Sequence, residues 1–226
     1  MKRIAIMQPY FLPYLGYWQL IQSVDKFIIF DDVNFIRKGW IHKNFISLGG
    51  RKHQINICLK KASINKRINE HKISEDHGWK ETLFAQIRHS RTKKCLFSEH
   101  KETIGRIIFH QHDSLNVYLL NSISIICDLL DIETEIVVSS AAYENDHLKG
   151  EERIIDICKK ENATEYVNLP GGKAFYSLEN FDSESIKLSF LTTAPGLSIV
   201  DNLLNVEREE IIQSLKSIKL VNDNTR

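Results

Sequence analysis

The sequence predicts an α/β fold with a mainly parallel sheet and flanking helices, and two observations lead to that prediction. Residues 2–7 and 27–30 are short apolar runs typical of buried strands, and residues 14–24 between them have apolar side chains at helical spacing. A strand, a helix and a strand in succession are typical of a βαβ unit with parallel strands. Strands and helices alternate again towards the C-terminal end. We therefore expect a parallel sheet with helices packed on it.

The segments between and after these strands predict the remaining elements. Two strands joined at Gly49-Gly50 indicate a hairpin over 44–47 and 54–59. Residues 74–109 have a helical pattern with breaks near Gly78 and Ser90, and Ser114 is a suitable N-cap for the next helix. The other predicted elements are the helices 115–130, 151–160 and 206–218, the last capped by Asn205, and the strands 134–138, 166–169 and 186–190. We predict one α/β domain over 1–226, with a helical insertion or subdomain at about 70–130.

Charge and composition narrow the class of protein. The chain has 226 residues, with 30 basic against 29 acidic side chains, and its basic clusters are confined to residues 60–61 and 91–94, so DNA is not an expected partner. No apolar run approaches the length of about 18 residues that a membrane span needs, and the start of the chain lacks a signal-peptide pattern. The four cysteines have no paired spacing typical of zinc sites. We expect reduced thiols, no metal site and a cytoplasmic location.

The loop after the first strand is the first candidate site. In an open α/β sheet, ligands bind outside the carboxyl ends of the strands. The loop has two prolines and a glycine and leads into a helix whose free amides can bind an anion. The alternative is a turn with aromatic packing. Its candidate ligand-binding residues are Gln8, Pro9, Tyr10, Gly16 and Tyr17, with Tyr14 as a candidate catalytic residue.

Two further segments follow predicted strands and carry polar side chains. Asp31-Asp32 could bind a metal or a ribose hydroxyl, although acids at strand ends are also common caps. Ser139-Ser140, followed by Lys149 and Arg153, suits a phosphate or carboxylate; the alternative is a capped helix with a solvated basic edge. Because a cation in the first turn opposes the helix dipole, we expect Arg153 to meet an anionic ligand. A surface salt bridge to Glu151, Glu152 or Asp156 is the competing interpretation.

The last candidate loop contains Asn168, Gly171 and Gly172, whose adjacent glycines allow a close approach to a ligand or make a tight turn. It lacks the spacing of a Walker motif. His110 and His112 could be metal ligands, but on a helical interpretation they point to different faces. We expect Gln8, Tyr14, Asp31, Asp32, Asn44, Ser139, Arg153 and Asn168 to line one cleft.

Long stretches of the chain resemble the WbqC-like family. The most specific stretch is the opening motif at residues 6–21, followed by residues 30–36. Further similar segments are residues 39–44, 115–116, 139–140, 153–158, 166–172 and 198–201. The resemblance covers about residues 3 to 205 and adds Trp40 and Asn116 to the ligand-binding set. Lys43 stands where the family tends to have an arginine, and a lysine does not reproduce a bidentate arginine.

The resemblance implies a function in bacterial surface-polysaccharide (O-antigen) biosynthesis. It implies a transferase that modifies a nucleotide- or lipid-linked sugar, with glycine, another amino acid or an acyl donor as candidate second substrates. The alternative is a sugar-nucleotide binding or scaffold protein without chemistry of its own. Homo-oligomerisation is left open. Arg37, Lys43, Lys149 and Arg153 could stabilise a phosphate or oxyanion.

A second resemblance concerns the core of the fold. Phe11-Leu12-Pro13 followed by Tyr14-Leu15-Gly16-Tyr17 is similar to the His-x-Gly-His element of nucleotidyltransferase-like (Rossmann-like) folds, with tyrosines at both histidine positions. The resemblance implies ATP with Mg²⁺ as a candidate co-substrate pair and transfer through an adenylate. Phenols donate hydrogen bonds but supply no positive charge. On this interpretation the catalytic candidates are Tyr14, Asp32, Lys43 and Arg153.

Overall fold

The structure is a computed structural model that describes residues 1–76, 78–90, 96–193 and 195–222. The basic cluster at residues 91–94 and Cys95 lie outside the described residues. The strands are β1 Arg3–Met7, β2 Lys26–Ile29, β3 Lys43–Leu48, β4 Arg51–Asn56, β5 Glu135–Val137, β6 Glu165–Asn168, β7 Lys187–Leu191 and β8 Leu220–Val221. The α-helices are α1 Leu15–Gln22, α2 Gly78–His89, α3 Phe97–Ile108, α4 Leu115–Leu129, α5 Gly150–Lys160, α6 Leu178–Ser183, α7 Ile199–Asn205 and α8 Arg208–Lys216. Short 3-10 helices span Ile68–Glu70, Ser140–Tyr143 and Pro170–Phe175.

The central sheet has the strand order β5-β2-β1-β6-β7-β8. The first five strands in this order are parallel, and β8 pairs antiparallel with β7 at the edge. The predicted α/β class, with a mainly parallel sheet flanked by helices, is confirmed. The chain places β2 and β5 on one side of β1, and β6 and β7 on the other. The strand order therefore reverses between β1 and β6, which is the position where open α/β sheets bind ligands.

Alternating side chains of the strands enter two apolar cores, one on each face of the sheet. Ala5 and Phe27 pack with α1 and with the buried side chains of α2, α3, α4, α7 and α8. Their neighbours Ile4 and Ile28 pack on the opposite face with α5 and α6. Because α2 to α4 belong to the same apolar cluster as α1, the predicted insertion is packed against the sheet. The single-domain organisation stays a prediction.

The hairpin β3–β4 confirms the predicted pairing but not the predicted second strand. Gly49 and Gly50 both have positive φ, 59° and 73°, so they form a two-residue turn of the kind that joins Leu48 directly to Arg51. The second strand consequently begins at Arg51, three residues earlier than we expected.

Two other local predictions are wrong. Asn205 is the last residue of α7, and the next helix begins at Arg208 with Glu207 at the N-cap position. His110 and His112 follow the end of α3 and are not helical, and their rings lie nearly parallel with centroids 6.2 Å apart. Ser114 does cap α4, since its side chain accepts a hydrogen bond from the backbone amide of Val117. In the described ranges, no helix combines the length and the apolar character needed to cross a bilayer.

Candidate functional site

A cavity of about 470 Å³ opens between the carboxyl ends of β1 and β6. Gln8 follows β1 directly and Asn168 ends β6, so the cavity lies at the point where the strand order reverses. This volume is within the range of small-molecule sites. We call it the switch-point cavity. Its lining consists of Ile6, Met7, Gln8, Tyr10, Tyr14, Phe30, Ile36, Trp40, Ile154, Asn168, Leu169, Pro170, Gly171, Gly172, Phe175, Tyr176, Thr193 and Pro195.

Aromatic side chains form much of the wall. The ring centroids of Tyr10 and the buried Tyr17 are 5.5 Å apart, and Trp40 packs edge-on against Phe45 with ring centroids 5.9 Å apart. These contacts hold the rings of Tyr10 and Trp40 in place. Burial raises the pKa of Tyr10 to about 12 and also raises the pKa of Tyr14. Both phenols are therefore protonated at neutral pH and can donate hydrogen bonds to a ligand.

A short hydrogen-bonded chain of neutral groups lies beneath one side of the cavity. The Asn168 side-chain amide donates to the Tyr166 hydroxyl at 3.0 Å, and that hydroxyl lies 3.3 Å from the hydroxyl of Tyr176. Gly172 is required beside this chain, because a Cβ there would lie 2.8 Å from the Asn168 amide nitrogen. Gly171, by contrast, has open space around it. The predicted Asn168 loop is thus a wall of the cavity, and its second glycine is needed for packing.

The loop from Gln8 to Pro13 is shaped by residues that are distant in the sequence. Leu12 has a positive φ of 43°, which is uncommon for a residue with a side chain. Asn44 donates hydrogen bonds to the carbonyls of Phe11 and Leu12, at 3.0 and 2.7 Å, and Ser198 donates to the Leu12 carbonyl at 2.8 Å. The Asn44 side chain is buried, and both its nitrogen and its oxygen form hydrogen bonds within the chain. Asn44 therefore positions the loop.

A second group of predicted residues forms a buried polar cluster behind the cavity. The Asp31 carboxylate accepts hydrogen bonds from Ser139 Oγ at 2.7 Å, Asn116 Nδ2 at 2.7 Å and the Ser140 amide at 3.2 Å. Asp32 accepts hydrogen bonds from Ser140 Oγ and, at 2.6 Å, from Arg153 Nη2. Burial, only partly offset by the bond from Ser139, raises the pKa of Asp31. These donors are internal, so both carboxylates are bonded within the chain, whereas the side-chain oxygen of Asn116 is buried without a hydrogen-bond partner.

The anion that we expected at Arg153 is a carboxylate of the chain itself. Arg153 is 3% exposed and Asp32 4%, and the guanidinium lies 4.9 Å from the centroid of the Phe30 ring. Its Nε also donates to Asn145 Oδ1 at 2.9 Å. The competing expectation of a surface salt bridge to Glu151, Glu152 or Asp156 is equally wrong. Arg153 adjoins the cavity only through its neighbour Ile154 and through Phe30, which both line it.

The expectation of one cleft is therefore met by some residues and not by others. Gln8, Tyr14 and Asn168 line the switch-point cavity, whereas Asp31, Asp32, Asn44, Ser139 and Arg153 are not part of its lining. Of the other predicted ligand-binding residues, Tyr10, Trp40, Gly171 and Gly172 also line the cavity.

The remaining predicted residues have packing or surface positions. Tyr17 is completely buried and donates to the Gln8 carbonyl at 3.0 Å. Gly16 allows close packing, because a Cβ there would lie 2.6 Å from Thr193 Oγ1. Pro9 is buried, and Arg37 and Lys149 are exposed. Lys43 is half-buried at the start of β3, outside the lining.

Sequence reasoning missed several lining residues. Thr193 and Pro195 follow β7, so the rule about strand ends would have found them once β7 was predicted. Phe175 and Tyr176 lie at the end of a 3-10 helix that begins two residues after β6. In this segment the sequence analysis selected only Gly171 and Gly172 as candidate ligand-binding residues. Asn145, which orients Arg153, has no signal in the sequence.

The site does not fit the ATP and Mg²⁺ pair that the second resemblance implies. Among the described residues that line the cavity there is no aspartate, glutamate, lysine or arginine, whereas Mg²⁺ prefers carboxylate ligands and triphosphates need cations. The carboxylates of Asp31 and Asp32 are already committed to the buried polar cluster. Across the described ranges, no three His, Cys, Asp or Glu side chains are grouped so as to hold a metal ion.

Comparisons with known proteins place this geometry in a family. The sequence model of the WbqC-like protein family matches residues 8–213, which include the buried polar cluster and all of the cavity lining except Ile6 and Met7. The chain belongs to the WbqC-like family. It is 28% identical, over 224 residues, to the uncharacterized protein Rv1507c of Mycobacterium tuberculosis, covering 92% of this chain and 96% of that protein. No solved structure matches this WbqC-like chain.

Proposed function

We propose that the chain is a transferase that modifies a nucleotide- or lipid-linked sugar in surface-polysaccharide biosynthesis, with the sugar held in the switch-point cavity. Membership of the WbqC-like family supports the association with polysaccharides. The observation that carries the proposal is the cavity itself: it lies at the ligand-binding edge of an α/β sheet and is lined by aromatic rings and neutral polar groups.

The lining suits a sugar ring better than a strongly charged group. Aromatic faces carry negative charge density and attract the C–H groups of a pyranose. In this cavity the aromatic faces would be those of Tyr10, Trp40 and Tyr176. The amide of Gln8 and the protonated phenols of Tyr10 and Tyr14 can pair with hydroxyl groups. An anionic linker would be expected at the mouth, since no charged side chain lines the interior among the described residues.

In the proposed reaction, an acyl or aminoacyl group passes to a hydroxyl or amino group of the sugar. A new C–O or C–N bond forms at the acyl carbon, the bond between that carbon and the donor's leaving group breaks, and the leaving group takes up the proton that the sugar's hydroxyl or amino group loses. We assign to Tyr14 the role of donating a hydrogen bond to the carbonyl oxygen as it becomes negative. Asp32 and Arg153 act as positioning residues, because they brace β2 against α5 and do not line the cavity.

A sugar-binding protein without chemistry is the second candidate, and one observation favours it. The cavity is lined by no carboxylate, lysine, histidine or cysteine that could serve as a strong base or nucleophile, within the described ranges. Such a protein would bind the same ligands and release them unchanged.

Binding and turnover of two variants separate the candidates. Trp40→Ala should lower affinity for sugar nucleotides at least about tenfold by calorimetry, because it removes an aromatic wall. Tyr14→Phe should keep affinity within about threefold but slow acyl transfer, followed by mass spectrometry, about a hundredfold. Ile64→Ser, at an exposed apolar position outside the cavity, is the control. If no sugar probe binds, the proposal fails; if sugars bind but no donor yields product, the second candidate holds.

A further inference from the structure

We infer that Tyr176 selects the ligand of the switch-point cavity by accepting a hydrogen bond, so that the ligand must place a hydroxyl or amino group against it. The inference rests on the proposed function for the class of ligand, a sugar, and adds which chemical group the sugar presents to this wall. It follows from the direction of the hydrogen bonds at the place where β1 and β6 separate. Tyr166, beneath the cavity, is the positioning residue for Tyr176.

The strands β1 and β6 pair only at their beginnings. Their register joins residues 3–4 to residues 165–166 and then ends. The Lys2 carbonyl accepts a hydrogen bond from the segment before β6, and the Met7 carbonyl accepts one from the residue after β2. Successive carbonyls of a strand point alternately to its two neighbours. The Ile6 carbonyl therefore points towards β6, at a position that the ladder between the two strands no longer reaches.

Side chains of β6 replace the missing part of this ladder. The Leu169 amide donates to Asn168 Oδ1 at 2.7 Å, and the Tyr166 hydroxyl donates to the Ile6 carbonyl at 3.4 Å. Tyr166 is completely buried and Ile6 is 3% exposed, so this carbonyl is shielded from solvent. Because a buried carbonyl without a donor is costly, the single hydrogen of the Tyr166 hydroxyl is committed to Ile6.

The Tyr166 oxygen accepts hydrogen bonds from two other groups. Asn168 Nδ2 donates to it at 3.0 Å, and the hydroxyl of Tyr176 lies 3.3 Å from it. Since Tyr166 has no second hydrogen to give, Tyr176 is the donor in this pair. The hydrogen of Tyr176 is thus directed at Tyr166, and the Tyr176 oxygen remains as an acceptor on the wall of the cavity.

This fixed direction determines which ligand groups suit the wall. The Tyr176 ring packs edge-on against Tyr166 and Phe181, with ring centroids 5.5 and 5.8 Å apart, so its hydroxyl is held in place. A hydroxyl or amino group of the ligand can donate to the Tyr176 oxygen. A carbonyl, ether or ester oxygen at this position would meet another acceptor and would lose its water without gaining a partner, which is costly.

Fluorinated sugars test the inference, because fluorine is close to a hydroxyl group in size but donates no hydrogen bond. UDP-glucose and UDP-galactose are compared by calorimetry with analogues in which fluorine replaces each sugar hydroxyl group in turn. For the sugar that binds better, we expect at least one replacement to lower the affinity of the native chain about tenfold or more. Tyr176→Phe should reduce that loss to less than about threefold, because it removes the acceptor.

A second variant tests the direction of the hydrogen bond. Tyr166→Phe frees the hydrogen of Tyr176 to turn into the cavity, so the fluorinated analogue should bind within about threefold of its parent sugar. Tyr143→Phe is the matched control, because its hydroxyl donates to Glu161 at 2.6 Å and it is not part of the cavity lining. The control should keep the native preference. Urea unfolding checks that each variant is folded, and if Tyr166→Phe is not, Tyr176→Phe decides.

The outcomes separate this inference from the proposed function. If Tyr176→Phe weakens the parent sugar and every analogue by the same factor, Tyr176 only packs against the ligand, and the inference fails while the sugar site stands. The inference also fails if no fluorine replacement weakens binding, or if folded Tyr166→Phe keeps the native preference. If neither sugar nucleotide binds, the proposed function fails and the inference fails with it.

Discussion

At the residue scale, the buried polar cluster behind the cavity joins the end of β2 to helix α5. Asp31, Asp32 and Arg153 have the side chains that phosphate and metal sites use, yet all three are buried and bonded within the chain. The residues that line the cavity are tyrosines, tryptophan and amides instead. Burial therefore separates the residues that support the fold from the residues that face the cavity.

At the residue scale we predict that Arg153→Ala destabilises the fold by about 3–5 kcal/mol. The variant leaves the Asp32 carboxylate buried without its cation, and an unpaired buried charge is far more costly than a lost surface contact. Urea unfolding measures the change. Lys72→Ala is the matched control, because its salt bridge to Asp113 joins side chains that are 63% and 60% exposed, and solvent screening leaves such a pair with little effect on stability. Equal losses in the two variants would contradict the prediction.

The pairing of Arg153 with Asp32 could not be foreseen from sequence for a physical reason. The two residues are 121 positions apart, and they meet only because α5 packs beside the end of β2. From the neighbouring sequence, the only partners within the chain that could be predicted for Arg153 were the acidic side chains of its own helix. Contacts of this kind depend on how elements pack, which spacing along the chain does not reveal.

At the scale of elements, the apolar strands and the long helices were predictable and the short helices were not. The β6 and β7 strands and helix α4 lie within one residue of their predicted bounds, since their apolar runs and the Ser114 cap are local signals. Helices α6 and α7 have only six and seven residues. Such short helices are unstable alone and depend on packing, here of Phe181 and Leu203 against the two cores.

The next prediction concerns Glu161, which joins several elements at the end of α5. It forms salt bridges with Lys2 and Lys26 and accepts a hydrogen bond from Tyr143. Burial would raise the pKa of Glu161, but hydrogen bonds from Lys2, Tyr143 and Lys26 outweigh it and lower the pKa to about 2. Because this value lies below the ordinary value of 4.5, Glu161 contributes stability above pH 4.5, and the contribution disappears as the pH falls to about 2.

Urea unfolding of Glu161→Gln and the native chain between pH 7 and pH 2 tests this prediction. We expect the native chain to be the more stable of the two at pH 7 and the difference to shrink progressively below pH 4.5. Glu75→Gln is the control, because the Glu75 side chain is 82% exposed and its pair with Lys60 is open to solvent. A difference between Glu161→Gln and the native chain that is constant over this range would exclude the assignment.

At the scale of the whole molecule, the position of the site depends on strand order. The sequence predicted strands and the loops after them, and two of its candidate loops, at Gln8 and Asn168, line the switch-point cavity. It could not predict that β1 lies next to β6, a pairing of Arg3 with Glu165 across most of the chain. Without knowing that β1 and β6 are neighbours, we could not choose between the loops that follow the different strands. The predicted cleft therefore combined residues of the switch-point cavity with residues of the buried polar cluster.

Two buried thiols test whether both faces of the sheet unfold together. Cys127 packs in the core on one face and Cys158 in the core on the other, and burial raises the pKa of each to about 12. In a variant with Cys58→Ser and Cys95→Ser, we expect both thiols to react with a disulfide reagent only through global unfolding, at equal rates that rise equally with urea. A variant that retains only the partly exposed Cys58 is the fast-reacting control. Faster labelling of one buried thiol would show that its face opens separately.

The arrangement around Leu12 has a consequence for how the protein is made. The loop that walls the cavity is complete only when Asn44 and Ser198 both bond to its carbonyls, and β1 gains its second neighbour only when residues 165–166 arrive. During synthesis on a ribosome, β1 and the aromatic loop after it emerge first. The edge of β1 that pairs with β6 then stays unpaired until residues 165–166 have been synthesised. A chain interrupted before residue 198 therefore has the rings of the site without their final arrangement. Ligand binding would then serve as a test of complete synthesis as well as of folding.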